Sequence, residues 1–202
     1  MEAKEKVNKA FYDVKNRWLY FTELRNLTKL SNSSLQNVLN KMEKNKEIEV
    51  DKKTSNIFFR ISQNRKPYIF CQIAKGIFDS LNMGVRIPLK NWLGKFPSAV
   101  ESVIFFGSAS RKKEKEESDI DLVVILHSFD NLELQKLYEG EIKQRINNLT
   151  KKINSESNYP LKTVFIKSDS FKISKDHLIL QSKETGFPIF GGFNYYLKDE
   201  EN

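Results

Sequence analysis

Two almost uninterrupted apolar runs, Val100 to Phe106 and Asp121 to Leu126, restrict this chain more than any other stretch. Runs of that length and continuity read as strands buried on both faces of a sheet. The first ends in Phe105-Phe106-Gly107-Ser108, and Ser118-Asp119-Ile120-Asp121-Leu122 begins ten residues after Ser108. Side chains alternate along a strand, so Asp119 and Asp121 share a face while Ile120 turns to the core. Like charges held that close raise one another's pKa unless a cation lies between them. Mg²⁺ is the natural cation, a hard ion commonly shared between carboxylates and a substrate's phosphates. Gly107 and Ser108, at a tight turn, offer backbone N–H groups and a hydroxyl to such phosphates.

A Gly-Ser pair or an Asp-x-Asp alone carries little information; both together, each on an apolar strand, carry much more. The pattern resembles the nucleotidyltransferase superfamily of polymerase-β-like fold, and within it the small stand-alone minimal nucleotidyltransferases. Arg111 stands at that family's usual basic position, whereas Ser110 and Lys112 stand where a small residue and often a Gly are found. The resemblance covers Leu89 to Gly192 and includes the closing run Gly186-Phe187-Pro188-Ile189-Phe190-Gly191. It implies that Asp119 and Asp121 are catalytic and bind Mg²⁺, and that Gly107, Ser108 and Arg111 bind the nucleotide. It further implies transfer of a nucleoside monophosphate from a nucleoside triphosphate, ATP by preference, to a hydroxyl acceptor. Some minimal members are antitoxins that adenylylate a partner toxin, so a protein acceptor is among the expected partners. The family also carries a third carboxylate on its third strand. Here that strand reads Leu161-Lys162-Thr163-Val164-Phe165-Ile166, the position falls at Lys162 or Thr163, and Asp169 lies too far along.

The rest of the domain follows by periodicity. Pro88 is expected to open a helix carrying Leu89, Trp92 and Leu93 inward. Asn131 to Ile153 reads as a long amphipathic helix through Leu134, Leu137, Tyr138, Ile142, Ile146, Leu149 and Ile153. A polar turn follows the third strand, then a helix over Lys175 to Glu184. The resulting order is helix, strand, strand, helix, strand, helix. His127, His177 and Cys71 read as ordinary structural residues, and no Cys/His set has zinc spacing.

Upstream the charge changes. Residues 1–66 carry 15 Lys/Arg against 8 Asp/Glu, and the remainder 19 against 18, so nearly all of the net +8 lies in the first third. That excess suits either a polyanionic partner or a Lys-rich solvated surface. A helix is expected over Ala3 to Val14 (Val7, Ala10, Phe11 and Val14 inward), then a short strand over Trp18 to Phe21. Thr22 would cap a helix from Glu23 to Leu30, with Leu24, Leu27 and Leu30 inward. A third helix runs from the Ser31-Asn32-Ser33 turn to Lys46 with Leu35, Val38, Leu39 and Met42 inward. Ile48 to Val50 and Ile57 to Ile61 then form a hairpin.

This order resembles the winged helix-turn-helix domain. The resemblance implies a third helix lying in a DNA major groove, with Ser33, Ser34, Gln36, Asn37, Asn40 and Lys41 facing bases and phosphates. Lys52 and Lys53, on the wing, would reach the sugar-phosphate backbone. The helix has no Arg to read guanine, and winged helices also serve as docking or dimerisation modules, so a homodimer is a further expectation.

The expected class is α+β: a winged helix over residues 1–66, a linker helix in 67–86 and a small mixed-sheet nucleotidyltransferase domain over 87–202. The linker stripe Ile69, Phe70, Ile73, Ile77 and Phe78 would pack the halves together or bury itself against a second copy. No apolar run is long enough for a membrane span, the start of the chain does not read as a signal peptide, and a single cysteine suits the cytoplasm. Three functions stay open: a transferase, a DNA-binding regulator with a degenerate nucleotide-sensing domain, and a docking scaffold.

Overall fold

The computed structural model describes residues 1–52, 56–97, 99–115, 118–128 and 131–198, apart from the side chains of residues 132–135 and 137. It divides into two compact units, Met1–Ile73 and Ala74–Asn202.

The first unit runs α1 (Ala3–Asp13), β1 (Leu19–Tyr20), α2 (Phe21–Thr28), α3 (Asn32–Lys44), β2 (Ile48–Asp51) and β3 (Phe58–Ile61), then enters α4 (Lys66–Asp79). The strands form an antiparallel sheet in the order β1-β3-β2. Val7, Ala10 and Phe11 of α1 and Leu35, Leu39 and Met42 of α3 are buried, as their spacing predicts. Asn16, left-handed at φ 57°, closes the unit. Its side chain donates to the Ile61 carbonyl at 3.0 Å and accepts from the Ile61 N–H at 2.9 Å. It thus takes the place of a strand neighbour for a buried backbone.

The second helix departs from the expected one. It starts one residue before Thr22, with Tyr20 at the N-cap and the Glu23 carboxylate accepting from the Tyr20 N–H at 2.9 Å. That hydrogen bond, and the Arg17 guanidinium next, hold Glu23 below the usual carboxylate range. The buried face passes through Leu24 and Thr28, four apart, so Leu27 is 48% exposed instead of inward.

The second unit continues with α5 (Met83–Leu93), β4 (Val100–Phe106), α6 (Gly107–Ser110), β5 (Ile120–Leu126), α7 (Leu132–Asn154), β6 (Leu161–Lys167), α8 (Ser168–Ile173), α9 (His177–Thr185), β7 (Phe187–Phe190) and α10 (Gly192–Lys198). Its sheet has the order β6-β5-β4-β7, with β5 and β6 parallel and the other pairs antiparallel. Ile104, Phe106, Val123 and Ile125 face Phe171 of α8 and Ile179 of α9. Trp92 of α5, fully buried, donates from Nε1 to Thr150 Oγ1 of α7 at 3.0 Å.

Three expectations here are corrected. Pro88 lies inside α5, which begins at Met83 because the Asn82 carboxamide caps it, accepting from the Gly84 N–H at 2.9 Å. The turn after β6 contains a helix, α8. The closing Gly186 to Gly191 run holds a fourth strand, β7, in which Pro188 is tolerated because an edge strand needs hydrogen bonds on one side alone. The expected helix contacts of Leu134 and Leu137 and the tail beyond Lys198 lie outside the described residues.

β4 is gripped at both ends. A Cβ at Gly191, where φ is +64°, would lie 1.9 Å from the Glu101 carbonyl oxygen. At Gly186 it would lie 2.7 Å from Ile104 Cγ2 and 2.5 Å from the Ser182 oxygen. The Glu101 side chain is buried and meets Ser168 Oγ at 3.0 Å, Lys198 Nζ at 3.0 Å and His127 Nδ1 at 3.3 Å. None of the described helices is long and apolar enough to cross a membrane.

Glycine substitutions separate packing from propensity. Gly191→Ala should destabilise the protein by about 2 kcal/mol or more, since no side chain fits there and φ is unfavourable. Gly140→Ala, in mid-helix with nothing within 4 Å of the new carbon, should stabilise by about 0.5–1 kcal/mol. Urea unfolding midpoints of the two variants check the contrast.

Candidate active site

The site is set by sheet register. Phe106, the last residue of β4, pairs with Asp121 of β5, and Asp121 pairs with Lys162 of β6. Directly paired residues share a face, so Asp121 and Lys162 lie on the face of Phe106, and Asp119, two residues back, belongs there too. Ile120, between the carboxylates, is fully buried. Asp119 and Asp121 are both half-buried.

Gly107 explains how the carboxylate is accommodated. Its φ is +81°, and a Cβ there would lie 2.2 Å from Asp121 Oδ2. The strand therefore turns into α6 with its backbone against the acid, a contact glycine alone permits. Ser108 is half-buried beside it, and buried Ser110 donates its hydroxyl back to the Gly107 carbonyl at 2.9 Å. A larger residue at 110 would lose that closure. Arg111 is exposed at the end of the turn, with its N–H on the Ser108 carbonyl at 3.1 Å. Lys112 follows at φ 56°, a left-handed position, which is the physical reason a glycine would suit it.

Electrostatics single out one acid. Burial, and then the neighbouring charge of Asp119, push Asp121 above the usual carboxylate range, with Lys162 opposing. The Lys162 ammonium lies 2.5 Å from Asp119 Oδ2. This hydrogen bond and the charge of Asp119 hold Lys162 above its ordinary range. Of the two positions expected for a third carboxylate, Lys162 is the one on the site's face, and Thr163 alternates away from it. Asp169 follows the far end of β6, a strand's length from Asp119. The sequence marked Lys162 as one of two places for the expected acid without giving its ammonium a role, although a cation there was a visible signal. Among the described residues no group of three or more His, Cys, Asp or Glu could hold a metal ion. The two carboxylates present are hard oxygen donors with an electrostatic need for positive charge, and they fit a single divalent ion such as Mg²⁺.

In the first unit, Ser33, Gln36, Asn37, Asn40 and Lys41 are exposed on α3 and Ser34 is half-buried, its N–H on the capping Ser31 Oγ. Gln36 also donates to Asn40 Oδ1 at 2.8 Å and lines a groove with Tyr20, Asn56 and Ile57. Lys52 is exposed but pairs with Glu43 of α3 at 3.3 Å. Lys53 lies outside the described residues.

An antiparallel β4–β5 pair, a glycine turn between them and two carboxylates at the start of β5 make up the candidate site of the second unit. Residues 89–182 match the family model described as Polymerase beta, Nucleotidyltransferase. The match, a little under half of the chain, supports the nucleotidyltransferase superfamily for this unit and nucleotidyl transfer as its general chemistry. No curated protein and no solved structure matches the chain.

Because Asp121 binds its proton more tightly when folded, its ionisation weakens the fold as pH rises from the unfolded carboxylate range through its own raised value. Below that window the penalty is absent, and above it the penalty is complete. Asp121→Asn should therefore raise the melting temperature of metal-free protein at pH 7, by about 2–4 °C for each kcal/mol relieved. The gain should shrink toward zero in acid, as scanning calorimetry against pH would record.

Proposed function

We propose that this protein is a Mg²⁺-dependent nucleotidyltransferase with a DNA-binding winged helix. The observation that carries the reading is the Asp119–Asp121 pair on one sheet face, with Gly107 backed against Asp121. Asp119 and Asp121 would hold the divalent ion, which supplies positive charge to the triphosphate when bound. Gly107 and Ser108 bind the triphosphate at the turn, and exposed Arg111 adds a guanidinium to it. The acceptor oxygen bonds to the α-phosphorus as the bond to the β-phosphate's bridging oxygen breaks. Pyrophosphate leaves, and the acceptor's proton passes to solvent. The protein's part is alignment and charge, which is most of what such transfers need.

The absence of an acid at Lys162 supports an acceptor that brings its own activation, and a protein is the acceptor we favour. The Lys162–Asp119 ion pair also favours a second reading, a DNA-binding regulator whose transferase unit holds a nucleotide without transferring it. α-Labelled ATP, Mg²⁺ and a lysate from the protein's own source separate the two. Label should appear on a macromolecular acceptor and fall by about a thousandfold in Asp119→Asn/Asp121→Asn. Mg²⁺-dependent ATP binding that the double variant loses, without transfer, would instead establish the regulator.

The order α1, β1, α2, α3 and a β2–β3 hairpin supports the winged-helix reading, and we take the domain limit at residue 66 with α4 as the linker helix of 67–86. Polar side chains on the outer face of α3 suit a major groove. The basic excess of residues 1–66 suits the phosphates around it. Lys41→Ala should weaken binding to duplex DNA of any sequence alike and reduce the salt slope by about 1. Fluorescence anisotropy against salt concentration measures both, and an unchanged slope would remove Lys41 from the interface.

A further inference from the structure

Lys162 completes a cluster that its position in the fold makes unavoidable. It is fixed opposite Asp121 by the parallel β5–β6 register, on the face shared by Asp119, and its ammonium lies 2.5 Å from Asp119 Oδ2. An acid at this position would have given three carboxylates, a set that calls for two divalent ions. Two carboxylates and one ammonium instead leave a net charge of −1. A single divalent ion reverses that charge and leaves one positive charge to face the substrate's phosphates, and a second divalent ion would meet the ammonium's repulsion at close range.

We propose that Lys162 is a resident cation, standing in the place of one metal ion, so that the site takes a single divalent ion and Asp119 is shared between that ion and the ammonium. The inference rests on the reading of Asp119 and Asp121 as metal-binding carboxylates. It makes Lys162 a positioning residue: it holds Asp119 in place and sets how many ions can enter. It also has a chemical consequence, because an ammonium donates protons and cannot take one from an attacking hydroxyl. Activation of the acceptor therefore falls outside this side chain.

The lysine is exposed over about two-thirds of its side chain (65%), so substitutions there need not disturb the core. Mn²⁺ titrations at low ionic strength, read by the paramagnetic resonance of free Mn²⁺ and needing no turnover, test the proposal on the full chain. Wild type should bind one ion. Lys162→Met should bind one ion about tenfold more tightly, as expected for removing a unit charge a few ångströms from a dication near a protein surface. Lys162→Asp should raise the stoichiometry to two, and Asp119→Asn/Asp121→Asn serves as the blank. Two ions in wild type, or equal affinity in wild type and Lys162→Met, would overturn the role of Lys162 while leaving the carboxylate site standing. Binding of no ion by Lys162→Asp, with its circular dichroism unchanged, would remove the metal-site reading itself.

Discussion

Two negative charges held on one face of a strand are the constraint around which the second unit is arranged. Free carboxylates in water would simply separate. Here β5 is paired on both sides, by β4 and by β6, and Ile120 between the acids is anchored in the core. The repulsion cannot relax through the backbone, so it is relieved locally by the Lys162 ammonium and adds to burial in raising Asp121 above the usual carboxylate range. Gly107 contributes by what it lacks, since a single methyl group would occupy the space of the Asp121 carboxylate. A site built this way resides on rigid elements and is set before any ligand arrives.

The carboxylates, the Gly-Ser turn and the two central strands were legible in the sequence because each is a local signal. The apolar runs are long, and the acids stand at a spacing that alternation alone interprets. The partner of those acids was not legible. Whether Lys162 or Thr163 faces them depends on the register of two strands about forty residues apart in the chain, which no periodicity encodes. The fourth strand was hidden for the opposite reason: Phe187-Pro188-Ile189-Phe190 is short and holds a proline, and its glycines are there for close approach to β4 as much as for turning. Pro88 misled because it is favoured at helix starts, whereas an asparagine six residues earlier supplied the cap.

The first unit shows the same division. Helices with a wide apolar stripe, α1 and α3, emerged at nearly their full extent. The short α2 did not, because with two turns the choice between Leu27 and Thr28 as the inward residue is made by neighbours. The Asn16 side chain, which pairs with the backbone of Ile61 across forty-five residues, likewise carries no local signature.

At the opposite end of β4 from the site, Glu101 is a buried carboxylate enclosed by Ser168, His127 and the lysine of the last described helix. This one buried side chain ties β4 to the ends of β5 and β6 and to α10. Lys198 stands nearly a hundred residues beyond Glu101, so this tie spans most of the second unit. A change at Lys198 therefore bears on the strand that carries Gly107 at its other end.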